Sequence, residues 1–163
     1  MESSPITPII YNISMPTSPK TSIKGLDFTG ISVIFFCHDG KGNYLLAKRS
    51  RQARDEKGCW DVGGGGLEFG DSLEDTIKRE IKEEYDLEIL DYEFLGFREV
   101  HRQTAGRTSH WLALDFKVLV DPGKAKINEP HKFDELGWFS RENFPQPLHS
   151  QLPFALKKYQ NRL

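Results

Sequence analysis

The stretch GGGGLEFGDSLEDTIKREIKEEYDLEI, residues 63–89, runs from four consecutive glycines into a segment with helical periodicity. Its apolar residues recur at spacings of three and four, as they do on one face of an α-helix. Three glutamates crowd into the same segment at positions 80, 83 and 84. Like charges at these spacings repel one another on a helix surface, so the pattern needs a physical reason.

Helix geometry places two of these glutamates within or beside the apolar stripe. At roughly 100° per residue and with Glu80 at zero, Glu84 lies at about 40° and Ile81 at about 100°. Glu83 lies at about 300°, away from the stripe. A solvated acidic face is the alternative, but it would lie opposite the apolar side. Carboxylates at the edge of a core are tolerated when a cation compensates them, and hard divalent ions such as Mg²⁺ prefer carboxylate oxygens.

The glycines lead the chain into the N-terminus of this helix. Asp71 or Ser72 can cap the helix, with Glu74 or Asp75 at the reciprocal position. We therefore interpret GGGGLEFGDS as a tight loop and expect a helix from about Ser72 to Tyr85. Glycines allow backbone groups to approach a ligand closely. A glycine loop followed at fixed spacing by clustered carboxylates is much rarer than either feature alone.

The remaining elements follow from periodicity and turn signals. Strands are expected for FTGISVIFFCHD (28–39), YLLAKRS (44–50), LEILDYEFLGFREVHR (87–102), TSHWLALDFKVLV (108–120) and ELGWFS (135–140), and a last helix for SQLPFALKKYQNRL (150–163). The first two strands predict a hairpin across DGKGN. Interleaved strands and helices with hairpins predict an α/β fold with a mixed sheet rather than a doubly wound parallel one.

Length and composition restrict the class of protein. A chain of 163 residues with 37% hydrophobic content suffices for one core, so we expect a single domain at 28–163 after an N-terminal extension at 1–27. The net charge of −2 gives no basic field for nucleic acid. Without a signal peptide or a spanning apolar run, we expect a cytoplasmic protein with no membrane partner.

Two smaller features add little to the functional prediction. Cys37 and Cys59 are too few for a disulfide framework and lack zinc spacing, so we expect packing residues. The extension is rich in proline, yet its segment PIIYNI (8–13) is apolar and β-prone. A mobile tail and a segment held against the body or a partner chain both remain open for residues 1–27.

Residues 65–87 resemble the signature of the Nudix hydrolase family, G-x5-E-x7-R-E-U-x-E-E-x-G-U, where U is a bulky aliphatic residue. The matching residues are Gly65, Arg79, Glu80, Ile81, Glu83, Glu84 and Leu87. Asp71 replaces the family's first glutamate and keeps a charge through which Arg79 is expected to orient the loop. Asp86 replaces a glycine and is among the residues that best tolerate a left-handed helix end. The wider resemblance covers most of residues 28–145.

The resemblance implies the Nudix α/β/α sandwich with a mixed β-sheet and an enzyme that hydrolyses a nucleoside diphosphate linked to another moiety. The cofactor it implies is Mg²⁺ or Mn²⁺. Glu80, Glu83 and Glu84 are expected to hold the metal, with a backbone carbonyl of Gly64 or Gly65. The metal would bridge the diphosphate, neutralise developing charge and acidify a water molecule.

The resemblance also suggests which groups act on the proton and on the substrate. Glu83 or Glu84 is expected to accept the proton of the attacking water, with Glu129 as a further candidate from a downstream loop. Arg49, at the end of the second strand, is expected to clamp a phosphate, although a surface arginine is the alternative. Gly64 is expected to contact the substrate.

Substrate identity depends on weaker patterns. EPHKFDELGWFS (129–140) looks like members that act on nucleoside triphosphates, which predicts cleavage to monophosphate and pyrophosphate. ADP-ribose or nucleotide-sugar pyrophosphatases are an alternative, although residues 1–27 are short for the dimerising domain of many such enzymes. A coenzyme A diphosphatase pattern fits partly, through Leu45, Leu46, Arg49, Ser50, Arg54, Gly58, Gly64 and Gly65.

Two further classes remain as alternatives to an enzyme. A Nudix-fold binding module would lose metal ligands, whereas all three glutamates are intact here. An acidic calcium-binding or interaction helix would need neither the glycines nor Arg79. Phe133, Trp138 or His101 could stack on a base or could belong to the core or rim. We expect a small nucleotide as the partner and a monomer or homodimer.

Overall fold

The computed structural model describes residues 22–104 and 106–163, so PIIYNI (8–13) lies outside the described residues. Within these ranges seven strands form one mixed sheet. The strands are β1 Gly30–His38, β2 Asn43–Arg49, β3 Trp60–Asp61, β4 Gly63–Gly66, β5 Ile89–Thr104, β6 Arg107–Val120 and β7 Phe133–Ser140. The helices are α1 Leu73–Tyr85 and α2 Leu152–Lys158, with 3-10 turns at Pro122–Lys124 and Arg141–Asn143.

Strand β1 lies at the centre of the sheet. The strand order is β3-β2-β1-β6-β5, with β4 pairing to β1 and β7 to β2. β1 runs parallel to β6 and antiparallel to β4, and β5 and β6 form a long antiparallel hairpin. The predicted α/β class and mixed sheet are thereby confirmed. The predicted β1–β2 hairpin pairs only at His38 and Tyr44, because β1 then takes β4 as its antiparallel neighbour.

The two helices cover opposite faces of the sheet. Side chains alternate along β1 because successive residues of a strand point to opposite faces. Val33, Phe35 and Cys37 pack in the core shared with α1, whereas Phe36 packs with Leu152 of α2. This arrangement is the expected α/β/α sandwich. None of the helices in the described ranges is long and apolar enough to cross a membrane.

Helix α1 has the ends that its sequence predicts. Ser72 is the N-cap, and its Oγ accepts a hydrogen bond from the backbone nitrogen of Asp75 at 3.1 Å. Asp86 follows the helix in the left-handed conformation, with φ of 53°. Aspartate is one of the few residues besides glycine that adopts this region readily, so the departure from the family's glycine leaves the helix end intact.

Two predicted elements are wrong in detail. The glycines form strand β4, in register with β1 from Ser32 opposite Gly66 to Phe35 opposite Gly63, and not a loop. Glycine has no side chain whose periodicity could reveal a strand. The last helix ends at Lys158 rather than at residue 163, since the chain then turns and Arg162 donates hydrogen bonds to carbonyls of β5.

Candidate active site

Helix α1 turns two of its clustered glutamates towards the sheet and one towards water. Glu80 is 6% exposed and Glu84 is 2% exposed, whereas Glu83 is exposed. Both buried residues share this face with Ile77 and Ile81, which are fully buried. The division is the one predicted from helical angles. Buried carboxylates are rare in proteins unless another group compensates them.

Strand β4 lies directly against these two carboxyl groups. A Cβ placed on residue 65 would lie 1.9 Å from Cδ of Glu80. One on residue 63 would lie 2.7 Å from Oε2 of Glu84. Both distances are shorter than real Cβ contacts, so the absence of side chains lets the β4 backbone approach the glutamates. Gly64 faces the other way, where a Cβ would lie 2.8 Å from Cδ1 of Ile34.

The carboxyl group of Glu84 is poorly compensated. Its Oε2 is buried and has no hydrogen-bond partner among the described residues. Its Oε1 lies 3.7 Å from Nζ of Lys132. Burial raises the pKa of Glu84 to about 8, an effect that the Lys132 charge opposes. Without a stronger cation, this group therefore keeps a proton over much of the neutral range.

Lys132 connects Glu84 with Glu129. Its Nζ lies 2.6 Å from Oε2 of Glu129, in addition to the longer contact with Glu84. Glu129, the further candidate for a proton acceptor, thus lies near the buried glutamates with an ammonium group beside it. No sequence pattern indicated a role for Lys132. Lys132 stands inside EPHKF, but it contacts a residue of α1 that is far from it in sequence.

Arg79 makes its shortest contact with Glu80. Nη1 donates a hydrogen bond to Oε1 of Glu80 at 2.8 Å and a longer one to Oε2 of Glu83 at 3.4 Å. Nη2 lies 3.7 Å from Oδ2 of Asp71. Burial raises the pKa of the Glu80 carboxyl, and the arginine opposes this rise. The link to Asp71 is long, and the structural role of Arg79 stays a prediction.

The donor groups at this site fit a hard divalent cation. Glu80 and Glu84 supply carboxylate oxygens directly against the backbone of β4, and Oε2 of Glu84, which has no partner among the described residues, is an acceptor that a cation would satisfy. Within residues 22–104 and 106–163, no three His, Cys, Asp or Glu side chains are grouped so as to hold a metal ion. Glu83 instead contacts Arg79. The fit to Mg²⁺ or Mn²⁺ therefore rests on two side chains and the glycine backbone.

A family model described as the NUDIX domain matches residues 29–159. The chain belongs to the Nudix hydrolase family. The Nudix signature, residues 65–87, therefore runs from the end of β4 through α1, the two elements that pack against each other at this site. The assignment makes the protein a hydrolytic enzyme and identifies the fold described above as the Nudix fold.

Relatives of this Nudix hydrolase have also been described. It is 32% identical over 109 residues to the nucleoside triphosphatase NudI of Enterobacter sp. (strain 638), a match that covers 63% of this chain and 76% of that protein. NudI of Escherichia coli O139:H28 (strain E24377A / ETEC) is 29% identical over 124 residues, 72% of this chain and 84% of the relative. The crystal structure of a MutT NUDIX hydrolase from Burkholderia pseudomallei matches with a TM-score of 0.71 at 27% identity, covering 80% of this chain and 98% of that one.

A second polar feature of the Nudix hydrolase is a recess between the sheet and α2. Its cavity volume is about 50 Å³. Oδ2 of Asp61 lies 3.8 Å from Nε2 of His149 and 3.9 Å from Nη1 of Arg49. Burial raises the pKa of Asp61 to about 7. No sequence pattern predicted this recess, although an aspartate two residues before the glycines was a usable signal. Its lining includes Ile34, Phe36, Asp61, Val62, Arg98 and His149.

Arg49, predicted as a phosphate clamp, is held by a neighbouring acidic residue. Its Nε donates a hydrogen bond to the carbonyl oxygen of Asp55 at 2.9 Å, and its Nη2 pairs with the Asp55 carboxylate. A phosphate would therefore compete with Asp55 for this guanidinium group. The clamp stays a prediction, as does the substrate contact of Gly64.

The three aromatic candidates for base stacking differ in exposure. Phe133 is buried in the core on the α1 side, where its ring is surrounded by other core side chains, so stacking on a ligand is wrong for this residue. Trp138 is partly buried and packs against the same core. His101 is exposed on β5, with its ring 4.3 Å from that of His110 between centroids.

Proposed function

We propose that this Nudix hydrolase cleaves nucleoside triphosphates to monophosphate and pyrophosphate with Mg²⁺ or Mn²⁺. The observation that carries the proposal is the burial of Glu80 and Glu84 beneath a strand made of glycines. The burial of two acidic groups costs folding free energy. Their presence in the core therefore indicates a catalytic use. The two NudI relatives, both named nucleoside triphosphatases, support the choice of substrate class.

Each residue of the site has a task in this proposal. Glu80 and Glu84 hold the cation with a backbone carbonyl of Gly64 or Gly65. When bound, the cation neutralises charge on the phosphates and makes a nearby water more nucleophilic. Glu83 is exposed to solvent, and its Oε1 is the oxygen that Arg79 does not contact, so we assign it as the proton acceptor.

Arg79 and Lys132 keep the carboxylates in place. Arg79 fixes the orientation of Glu80 through the 2.8 Å hydrogen bond from Nη1. Lys132 supplies positive charge beside Glu84 and so favours the ionised form that a cation needs. Neither residue needs to touch the substrate for these effects.

The polar groups near Asp61 are the proposed source of selectivity between substrates. Only Val62 separates Asp61 from β4, the strand that lies against the buried glutamates. Asp61, Arg98 and His149 offer hydrogen-bonding groups in a partly closed space. Selectivity between substrates that share a diphosphate requires such groups, because an unpaired polar group lowers the rate strongly.

Comparison of kcat/KM for nucleoside triphosphates, ADP-ribose and coenzyme A under identical Mg²⁺ tests the proposal. We expect the triphosphates to be cleaved fastest, with pyrophosphate as the product and no turnover in excess chelator. Asp61→Asn is the matched variant, because it keeps the shape of the recess. It should change the order of preference among nucleobases more than it changes the rate with the preferred base. A clear preference for ADP-ribose or coenzyme A would contradict the substrate class and leave the family unchanged.

A further inference from the structure

The turn formed by residues 23–28 is seated firmly on β6. It belongs mostly to the segment predicted as an N-terminal extension. The backbone nitrogen of His110 donates a hydrogen bond to the carbonyl oxygen of Gly25 at 2.8 Å. Arg107 pairs with Asp27 at 2.6 Å. These two contacts attach the turn to β6.

The conformation of this turn depends on Gly25 and Trp111. Gly25 has φ of 81°, a left-handed value that residues with side chains rarely adopt. A Cβ at residue 25 would lie 2.3 Å from Nε1 of Trp111. The turn therefore packs its backbone directly on the indole ring, which fixes the starting point of the Lys24 side chain.

Lys24 reaches from this turn to the segment that follows β4. Its Nζ donates hydrogen bonds to the carbonyl oxygen of Leu67 at 2.8 Å and to Oε1 of Glu68 at 3.0 Å. Leu67 is the residue next to Gly66, the end of β4, and its own nitrogen donates to the carbonyl oxygen of Ile31 at 3.0 Å. Lys24 thus holds the chain at the point where it leaves the sheet.

Within residues 22–104 and 106–163, the segment beyond Leu67 has few other anchors. Phe69 is fully exposed, and Gly70 has φ of 95° with open space around it. The backbone nitrogen of Asp71 donates a hydrogen bond to the carbonyl oxygen of Glu68 in the same segment at 3.2 Å, and the Asp71 carboxylate lies 3.7 Å from Arg79. A charged donor on a backbone carbonyl is among the stronger hydrogen bonds that could restrain such a segment.

We propose that Lys24 is a positioning residue that restrains residues 67–71 and thereby keeps β4 against Glu80 and Glu84. The inference goes beyond the proposed function in giving the N-terminal turn a part in catalysis, and its catalytic readout rests on that function. The carbonyl of Leu67 is the partner that matters, because the Glu68 carboxylate is exposed and free to move. Lys24 does not need to contact the substrate.

The test compares Lys24→Met with Lys24→Arg, Glu68→Gln and the control Lys41→Met. Lys41 is exposed in the turn between β1 and β2, far along the chain from the glycine strand. A small displacement of a catalytic group costs up to about a hundredfold in rate, so we expect kcat to fall about tenfold in Lys24→Met with KM changed less than about twofold. Lys24→Arg should recover part of kcat, and the other two variants should stay close to wild type.

Amide hydrogen exchange of residues 67–71, measured without metal or substrate, gives a readout that does not depend on activity. We expect faster exchange there in Lys24→Met, with unchanged exchange in α1 and β6 and an unchanged melting temperature. The inference would be overturned by unchanged exchange and kcat, by faster exchange over the whole domain, or by a KM effect that grows with the number of phosphates. Faster exchange of residues 67–71 in Lys24→Met, combined with a wild type that does not hydrolyse triphosphates, would support the role of Lys24. That result would overturn only the proposed function.

Discussion

Gly65 contacts Glu80 so closely that a Cβ on residue 65 would lie 1.9 Å from Cδ of the glutamate. The atoms that this Cβ would displace are at the end of the Glu80 side chain. Gly65→Ala should therefore still fold, but with the Glu80 carboxylate moved from its position. We expect kcat to fall by about a hundredfold, because misplacement by about 1 Å has this effect on catalytic groups. Gly66→Ala is the matched control, since the nearest atom that its Cβ would meet in the described part of the chain is Oε1 of Glu68 at 3.6 Å. Equal activity of the two variants would contradict the role of Gly65.

Replacement of Glu84 by glutamine separates catalysis from folding. Glu84→Gln keeps the shape of the side chain and removes the charge that a divalent cation needs. We expect turnover to fall by about a hundredfold or more. The melting temperature of the metal-free protein should stay the same or rise, since the variant loses a buried carboxyl group whose Oε2 has no hydrogen-bond partner in the described ranges. A variant that keeps most activity, or one that unfolds, would refute the assignment.

The pH dependence of stability should report the same residue. The pKa of Glu84 is raised from 4.5 to about 8 by burial. The folded state therefore binds more protons than the unfolded state between these values. Its contribution to stability is present below the lower value and is lost as the pH rises through the upper one.

Urea midpoints of the metal-free wild type and Glu84→Gln, measured at about pH 5 and about pH 9, isolate this contribution from other groups. The free energy of unfolding of the variant should exceed that of the wild type by more at the higher pH. Addition of Mg²⁺ should stabilise the wild type more at the higher pH as well, because cation binding requires the ionised carboxylate. Parallel curves for the two proteins would show that Glu84 is not the group responsible.

A buried ion pair on the opposite face of the sheet should control stability. Asp115 is fully buried and accepts hydrogen bonds from Nε and Nη2 of Arg98, each at 2.8 Å, and from the hydroxyl of Tyr159 at 2.8 Å. Asp115→Asn leaves Arg98 without its counter-charge, so we expect a loss of about 3 kcal/mol in the free energy of unfolding. Urea denaturation measures this loss. Glu135→Gln, which breaks an exposed pair with Lys48, should barely change the midpoint.

The face of α1 was predictable because helical periodicity assigns every residue an angle. The burial of Glu80 and Glu84, the cap at Ser72 and the left-handed Asp86 all follow from local sequence. These features depend on residues within a few turns of one another. Local rules therefore suffice for them.

The features that the sequence could not reveal depend on distant parts of the chain. The glycines became a strand because β1 offered hydrogen-bonding partners, which no side-chain pattern records. Lys132 and Lys24 reach the site from segments far from α1 in sequence. Their lysine side chains look like ordinary surface residues until the fold brings them to Glu84 and Leu67. The family resemblance identified the glutamates but not these cations.

Titration of the protein with Mn²⁺, followed by the loss of free-ion signal in electron paramagnetic resonance, tests the central claim most directly. The wild type should bind the ion at a site that Mg²⁺ competes for, and hydrolysis of a nucleoside triphosphate should follow the occupancy of that site. Glu84→Gln and Glu80→Gln should each weaken binding by at least about tenfold, whereas Glu74→Gln, on the first turn of the same helix, should not. Undiminished Mn²⁺ binding in both buried-glutamate variants would contradict the account.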